Sequence, residues 1–364
     1  MTTDLSKDEK DIRMNMLRDA LPACQPQEGS PPSTFTESEK EQLQAVFPEL
    51  NLVARSGVEP KKHDNLIDIC DPHDFQKPKH QFKKQDTQVI HENAQEALWH
   101  GAPRMDNAQE ARDFRMAVRQ GSFQGPTNGV CPGFMQCNLV VLPQGQVAFD
   151  FLLFCQRNKK ACPLIEVCDV GSPFPNGVAK GADLRTDVPM YAIYRNGKLE
   201  KEVSDATEYW PENSVAFLIG CSFSYDGALL DAHIPLRSAE EGKNVPMYRT
   251  NLKCRSSGAL SGNTVVSMKP IKATDIAKEV EITSKYPHAH GGPVCVGNPK
   301  AIGIKDLDKP DWGDQIQVRD DEVPVFHACG VTPQAVLMDS KVPFAITHKA
   351  GYMFVTDLPA DSPP

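Results

Sequence analysis

The 364-residue chain has no C-x-x-C pair, no H-x-x-x-H pair and no run of about eighteen apolar residues. The first two absences leave it without the common zinc spacings, and the third without a membrane-spanning helix. It also lacks G-x-x-x-x-G-K-[ST], so no loop of that type cradles nucleotide phosphates. Basic charge is in deficit: 39 Lys and Arg face 48 Asp and Glu, giving a net charge of -9. That balance argues against a nucleic-acid or anionic-membrane partner. The opening "MTTDLSKDEKDIRMNM" is acidic and has no apolar segment behind it, unlike a signal or transit peptide. The expected location is the cytoplasm, with a mitochondrial address as the alternative, and no metal or cofactor is expected.

What is present fits a globular chain, with 40% hydrophobic and 24% charged residues. Thirty prolines favour rigid loops over long helices. Eleven cysteines, several inside apolar runs such as "FDFLLFCQRN", read as buried free thiols in a reducing compartment. Residues 1–106 stand apart, with 13 basic against 19 acidic residues and half of the ten histidines. They read as a polar, partly disordered extension with one short helix capped by Thr36 and Glu39. The pattern sharpens over 107–364, expected to be the catalytic region and to consist of two intertwined α/β subdomains.

There "NAQEARDFRMAVRQGSF" reads as a helix with Ala111, Phe114 and Val118 on its buried face and Gly121 as its stop. "CNLVVLP" and "QVAFDFLLF" read as strands, the second also compatible with a helix. "YAIYRNGKLEKEV" is a hairpin around Asn196-Gly197, in a region that suggests a smaller α+β portion. Three segments share a strand–turn–helix plan: "SVAFLIGCSFSYDGALL", "NTVVSMKPIKATDIAKEV" with Thr274 as cap, and "EVPVFHACGVTPQAVLMDS" with Thr332 as cap. The fold class is therefore α/β, a mixed sheet with packed helices plus a smaller α+β portion.

Chemistry concentrates at a few places. "GCSFS" lacks the second glycine of a nucleophile elbow, so Cys221, Ser222 and Ser224 read as an anion cradle, a turn or, less readily, a nucleophile. In "GADLRTDVP", Asp183, Arg185 and Asp187 share one face if extended, as either an ion-pair ladder or a carboxylate clamp. Arg249 and Asn251 in "NVPMYRTN" offer a second anchor. In "KYPHAHGGP", His290 is the candidate proton carrier. "GIKDLDKPDWGD" reads as an aspartate-rich turn, and His327 and His348 as structural.

Taken together, "GSFQGPTNGVCPGFMQCNLVVLP", "FDFLLFCQRNKKACPLIEV", "GADLRTDVPMYAIYRNG", "VAFLIGCSFSYDGAL", "NVPMYRTN", "HGGPVCVGNPKAIGI" and "VPVFHACGVTPQ" resemble the YcsI-type hydro-lyase family over residues 107–358. That family is related to the N-terminal part of animal D-glutamate cyclases. The resemblance implies a two-part α/β architecture and a lyase converting D-glutamate, or a close analogue, to 5-oxo-D-proline and water. The animal cyclases continue into a C-terminal domain for which no counterpart is expected here, and the family usually shows tryptophan where this chain has His327, which argues against His327 as a shared catalyst.

Such a cyclisation needs a base, an acid, oxyanion donors and a clamp for the spare carboxylate. The expectation is that Cys221 to Ser224 hold the reacting carboxyl and that Arg185 and Arg249 clamp the other. His290 would then move protons. A non-catalytic carboxylate- or 5-oxoproline-binding protein is the alternative, and a thiol amidase using Cys221 a weaker third. The partner is a small-molecule carboxylate substrate; a homo-oligomer is left open.

Overall fold

The computed structural model describes residues 108–362. The expectations for Thr36, its helix and the five N-terminal histidines lie outside the described residues. Among those described, no helix is long and apolar enough to cross a membrane.

The backbone of the larger layer is strand β1 (Phe134–Pro143), buried along nearly its whole length. Its residues alternate between two cores. Met135, Cys137, Leu139 and Val141 enter one cluster, while Val140 and Leu142 enter the other. One edge of β1 pairs with β5 (Ser214–Gly220). Its other edge is shared by β10 (Phe344–His348) and β11 (Phe354–Pro359). Strand β2 (Leu164–Val167) extends the sheet beyond β5, and the hairpin β3 (Tyr191–Arg195) with β4 (Lys198–Val203) extends it beyond β10. Asn196 and Gly197 both adopt positive φ, 49° and 73°, as the hairpin reading requires. The hairpin is thus an edge of the seven-stranded sheet, because β3 finds its partner in β10.

The smaller portion is a second sheet of four strands, in the order β6 (Met247–Lys253), β7 (Asn263–Lys272), β9 (Glu322–Ala328) and β8 (Cys295–Val296). The recorded pairings in both sheets are antiparallel. Helices pack on these sheets, giving the α/β class expected.

Helix α1 (Gln109–Arg119) buries Ala111, Phe114 and Val118 as its spacing predicts, and Gly121 follows at φ 73°. "QVAFDFLLF" belongs to a helix, α2 (Gln146–Arg157), and not to a strand. Its buried Ala148, Phe151, Phe154 and Cys155 recur at helical spacing and cover the second core of the large sheet. After β5 come one 3-10 turn, Ser222–Tyr225, and the short helix α3 (Asp226–Asp231), then α4 (Arg237–Glu240). After β7 comes α5 (Ile276–Ser284), where Thr274 makes no capping bond and Asp275 takes the cap position. The buried face of α5 is Glu279 and Thr283. After β9, Gly330 and not Thr332 precedes α6 (Val331–Asp339), and position 330 admits only glycine because a side chain there would collide with Asn138. Thr332 instead bonds across to the backbone of Val265 on β7.

Candidate functional site

The turn after β5 is built around a close approach. Any side chain at Gly220 would collide with the carbonyl oxygen of His288, so glycine lets the loop 287–292 lie against the strand end. That loop carries His290 in the left-handed region, at φ 74°, a conformation non-glycine residues rarely adopt. The Nδ1 of His290 lies 2.8 Å from the carbonyl oxygen of Lys160. A carbonyl only accepts, so Nδ1 carries the proton and Nε2 presents its lone pair. Nε2 is buried without a partner. Burial pushes the imidazole down to about 4, with the charges of His327 and Lys160 adding to the effect and the Lys160 carbonyl opposing it.

His327 sits close by on β9, fully buried. Its Nε2 lies 2.7 Å from Glu279 Oε1 on α5, and its Nδ1 faces the Gly291 carbonyl at 3.2 Å. With Nδ1–H donating to Gly291, one further proton is held between the carboxylate and the imidazole. The second oxygen of Glu279 has no partner.

Tyr225, the last residue of the 3-10 turn, stacks at a tilt with its centroid 5.6 Å from the His327 ring. Its hydroxyl is buried with no partner in full hydrogen-bond geometry, though the Ser222 hydroxyl is near enough to pull against the burial that holds the phenol protonated. Lys269 reaches over the Tyr225 ring at 4.3 Å and pairs with Asp226 at 3.0 Å. Burial raises the Asp226 carboxyl, while Lys269 and the Gly129 N–H pull it back. Ser267, opposite His327 in the β7–β9 register, adds another unpartnered hydroxyl.

Eleven buried side-chain atoms lack partners among the described residues, and four of them (Tyr225, Ser267, Glu279 and His290) belong to this cluster. Each such atom costs about 1–3 kcal/mol. Against a domain stability of roughly 5–15 kcal/mol, so much unspent hydrogen bonding in one place marks a site that serves chemistry more than folding. A cavity of about 10 Å³ is lined by Asp226 and Lys269 together with Arg237, Met268 and Ile316, and it does not reach Tyr225, Glu279, His290 or His327. Among the described residues, no group of three or more His, Cys, Asp or Glu side chains is arranged to hold a metal ion.

The residues singled out in the sequence divide sharply. Ser222 neighbours the Tyr225 phenol. Cys221 is buried beside Phe223, Val245 and Met353, and burial keeps it a thiol, with the Phe223 N–H directed at its sulfur. Ser224 is committed to β1: its hydroxyl accepts from the Gln136 N–H at 3.0 Å. With His290, these residues gather around the turn.

The arginines do not join them. The segment 183–187 is a turn, not a strand, so the shared face of Asp183, Arg185 and Asp187 does not form. Arg185 spends its guanidinium on Asp183 and stacks on Phe174. Asp187 is held by Arg119, in a bidentate pair at 2.8 and 2.7 Å. Arg249 pairs with Asp339 at 2.8 Å and stacks on Trp312, and Asn251 is exposed beside Gly303.

Tyr225, Asp226, Lys269, Glu279 and His327 were not among the candidates. The signals were there: a lysine amid the apolar run "VVSMKPI", and a glutamate four residues before Thr283 on one helix face.

A D-glutamate cyclase family model matches residues 215–357. "Putative hydro-lyase Teth514_1597" of Thermoanaerobacter sp. (strain X514) is 56% identical over 246 residues, covering 68% of this chain and 92% of that one. "Putative hydro-lyase YcsI" of Bacillus subtilis (strain 168) is 52% identical over 251 residues, covering 69% and 97%. A "Putative hydro-lyase" of Pseudomonas syringae pv. tomato is 55% identical over 251 residues, covering 68% and 92%. A solved structure, a nitrogen repressor-like protein from Methanococcus jannaschii, aligns over 65% of this chain and 91% of that one with a TM-score of 0.30 and 12% identity. That likeness is too loose to bear on fold or function.

Proposed function

The chain belongs to the D-glutamate cyclase family of YcsI-type hydro-lyases, and from that premise we propose that it interconverts D-glutamate and 5-oxo-D-proline at the buried cluster beyond β5. In the forward direction the α-amine attacks the side-chain carboxyl carbon, a C–N bond forms, and one carboxyl oxygen leaves as water. The nitrogen sheds two protons, the first from the ammonium before attack and the second as the amide forms, and the departing carboxylate oxygen takes up two.

The observation that carries this reading is the cluster itself. His290, with a bare imidazole nitrogen, sits next to Gly291, whose carbonyl lies against His327, and His327 in turn is paired with Glu279. His290 takes a proton from nitrogen and Glu279, backed in this chain by His327, gives one to the leaving oxygen; the second proton follows the same course, and transfer from His290 to Glu279 restores both groups. The tetrahedral oxyanion lies against the Lys269 ammonium and the Tyr225 hydroxyl, both already desolvated. Ser222 and Cys221 line the turn against the substrate. Admission needs the loop 287–292 to lift, since the cluster is closed to solvent; Lys160 fastens it through His290 and Gly292.

The test is a turnover assay of the purified full chain on D-glutamate, L-glutamate and 5-oxo-D-proline, read by NMR. Formation of 5-oxo-D-proline from the D-enantiomer is expected. Saturable binding with no interconversion in either direction sinks the lyase reading and favours a carboxylate-binding protein.

A further inference from the structure

Away from the buried cluster, an open cleft of about 310 Å³ lies between the sheets' outer parts, bordered by Tyr194, Glu202, Trp312, Gln334, Lys349 and Tyr352. A volume of that size is at the lower end of small-ligand sites. Its charged groups are few and adjacent. Lys349 Nζ stands 2.7 Å from Glu202 Oε2, with both side chains a little over one-third exposed. Lys349 also lies over the Tyr352 ring at 5.3 Å, and Arg249 backs Trp312 on its own ring at 5.2 Å. A second carboxylate, Asp314, sits on the same rim and accepts from the Asn244 N–H.

One cation beside two carboxylates disfavours a polyanion such as a nucleotide or phosphate. A half-exposed ion pair is weakly held and readily exchanges its partners. The ligand that matches it carries a negative and a positive group on neighbouring atoms, so that each charge of the protein meets its opposite. Aromatic walls then cover the aliphatic remainder and the ammonium. The floor is Gln334, only 1% exposed, whose carboxamide is fixed by the His348 backbone. The pocket base is therefore rigid.

We propose that this cleft is a binding site for the zwitterionic head of a free α-amino acid, with Lys349 taking the carboxylate and Glu202 the ammonium. The inference stands apart from the lyase reading: a chain that turned over nothing would still bind there.

The experiment is equilibrium binding to the full chain, by calorimetry and by tryptophan fluorescence. The probes are glycine, D-glutamate, 4-aminobutyrate, glutarate and glucose. Glycine cannot cyclise, and the Lys349 and Glu202 variants assign its binding to the cleft and not to the buried cluster. Saturable glycine binding is expected, weakened about tenfold or more in Lys349→Met and in Glu202→Gln. Glutarate and 4-aminobutyrate, which lack adjacent opposite charges, are expected to bind about tenfold more weakly than glycine. Trp312→Phe should remove the fluorescence change. Both charge variants alter exposed side chains, so their circular dichroism should match the parent. The proposal is overturned if glycine does not bind saturably, if either variant binds it as tightly as the parent, or if glutarate or glucose binds as well as glycine.

Discussion

Two groups of charged side chains in this molecule, the arginine pairs near 183–187 and 249 and the cluster around Tyr225, differ in what is left over. Around 183–187 and at Arg249, every guanidinium has found a carboxylate of the chain itself, at or near the surface. Around Tyr225, the side chains are deeper, and hydroxyl, imidazole and carboxylate atoms remain without partners. Satisfied pairs that border no cleft settle a fold and contribute little more. Buried polar atoms left unsatisfied cost stability, and their concentration in one place points to work done on something else. Arginine content alone pointed the other way, toward the surface clusters.

The contrast can be strained by substitution. The largest effect is expected at Glu279→Gln, which removes one end of the shared proton. Turnover of D-glutamate should fall by about 10²–10⁴-fold, with the far-ultraviolet spectrum unchanged. A loss in KM alone would place Glu279 in binding and not in proton transfer. Next comes Lys269→Met, which strands the Asp226 carboxylate in the interior. A stability loss of about 3–5 kcal/mol is expected in urea unfolding, and the double variant with Asp226→Asn should recover much of it.

Acid should then distinguish the buried site from the surface pairs. His290 and His348 are both pushed down to about 4 by burial. The unfolded chain binds protons on these imidazoles at higher pH than the folded chain does. Their contribution is therefore fully present above about pH 6.5 and lost as pH falls toward about 4, by roughly 3 kcal/mol each. Asp226 and Glu166, raised by burial, act in the opposite sense within the carboxylate range. Urea midpoints at pH 7, 5.5 and 4.5 should fall for the parent and fall less for His290→Asn. The smallest effect is expected at the surface. Arg249→Ala should cost under about 1 kcal/mol, since the Asp339 carboxylate it leaves is already partly in water.

The fold was readable where local chemistry and tertiary context agree. The Asn196-Gly197 hairpin, the apolar face of α1 and the strand–turn–helix plan after β5, β7 and β9 all follow from spacing and turn residues. It was unreadable where a contact from elsewhere decides. "QVAFDFLLF" is apolar on too many positions for alternation to separate strand from helix, and only its docking on the sheet does so. Thr332 does not cap because its hydroxyl is taken by the backbone of Val265, 67 positions away in the chain, and by the Cys329 carbonyl.

The site divides in the same way. Cys221, Ser222 and His290 lie on two adjoining loops, near enough to motifs to be noticed. Glu279, Lys269 and His327 come from a helix and two strands, and one helical turn decides whether a glutamate faces water or an imidazole.

The central claim is that the chemistry belongs to the unsatisfied buried cluster and not to the paired arginines. The most direct measurement is the initial rate of 5-oxo-D-proline formation from D-glutamate by the parent, His290→Ala and Arg249→Ala, side by side at pH 7. A fall of about 10²–10⁴-fold in His290→Ala, with Arg249→Ala close to the parent rate, is the predicted result. A crippled Arg249→Ala beside an active His290→Ala would contradict it.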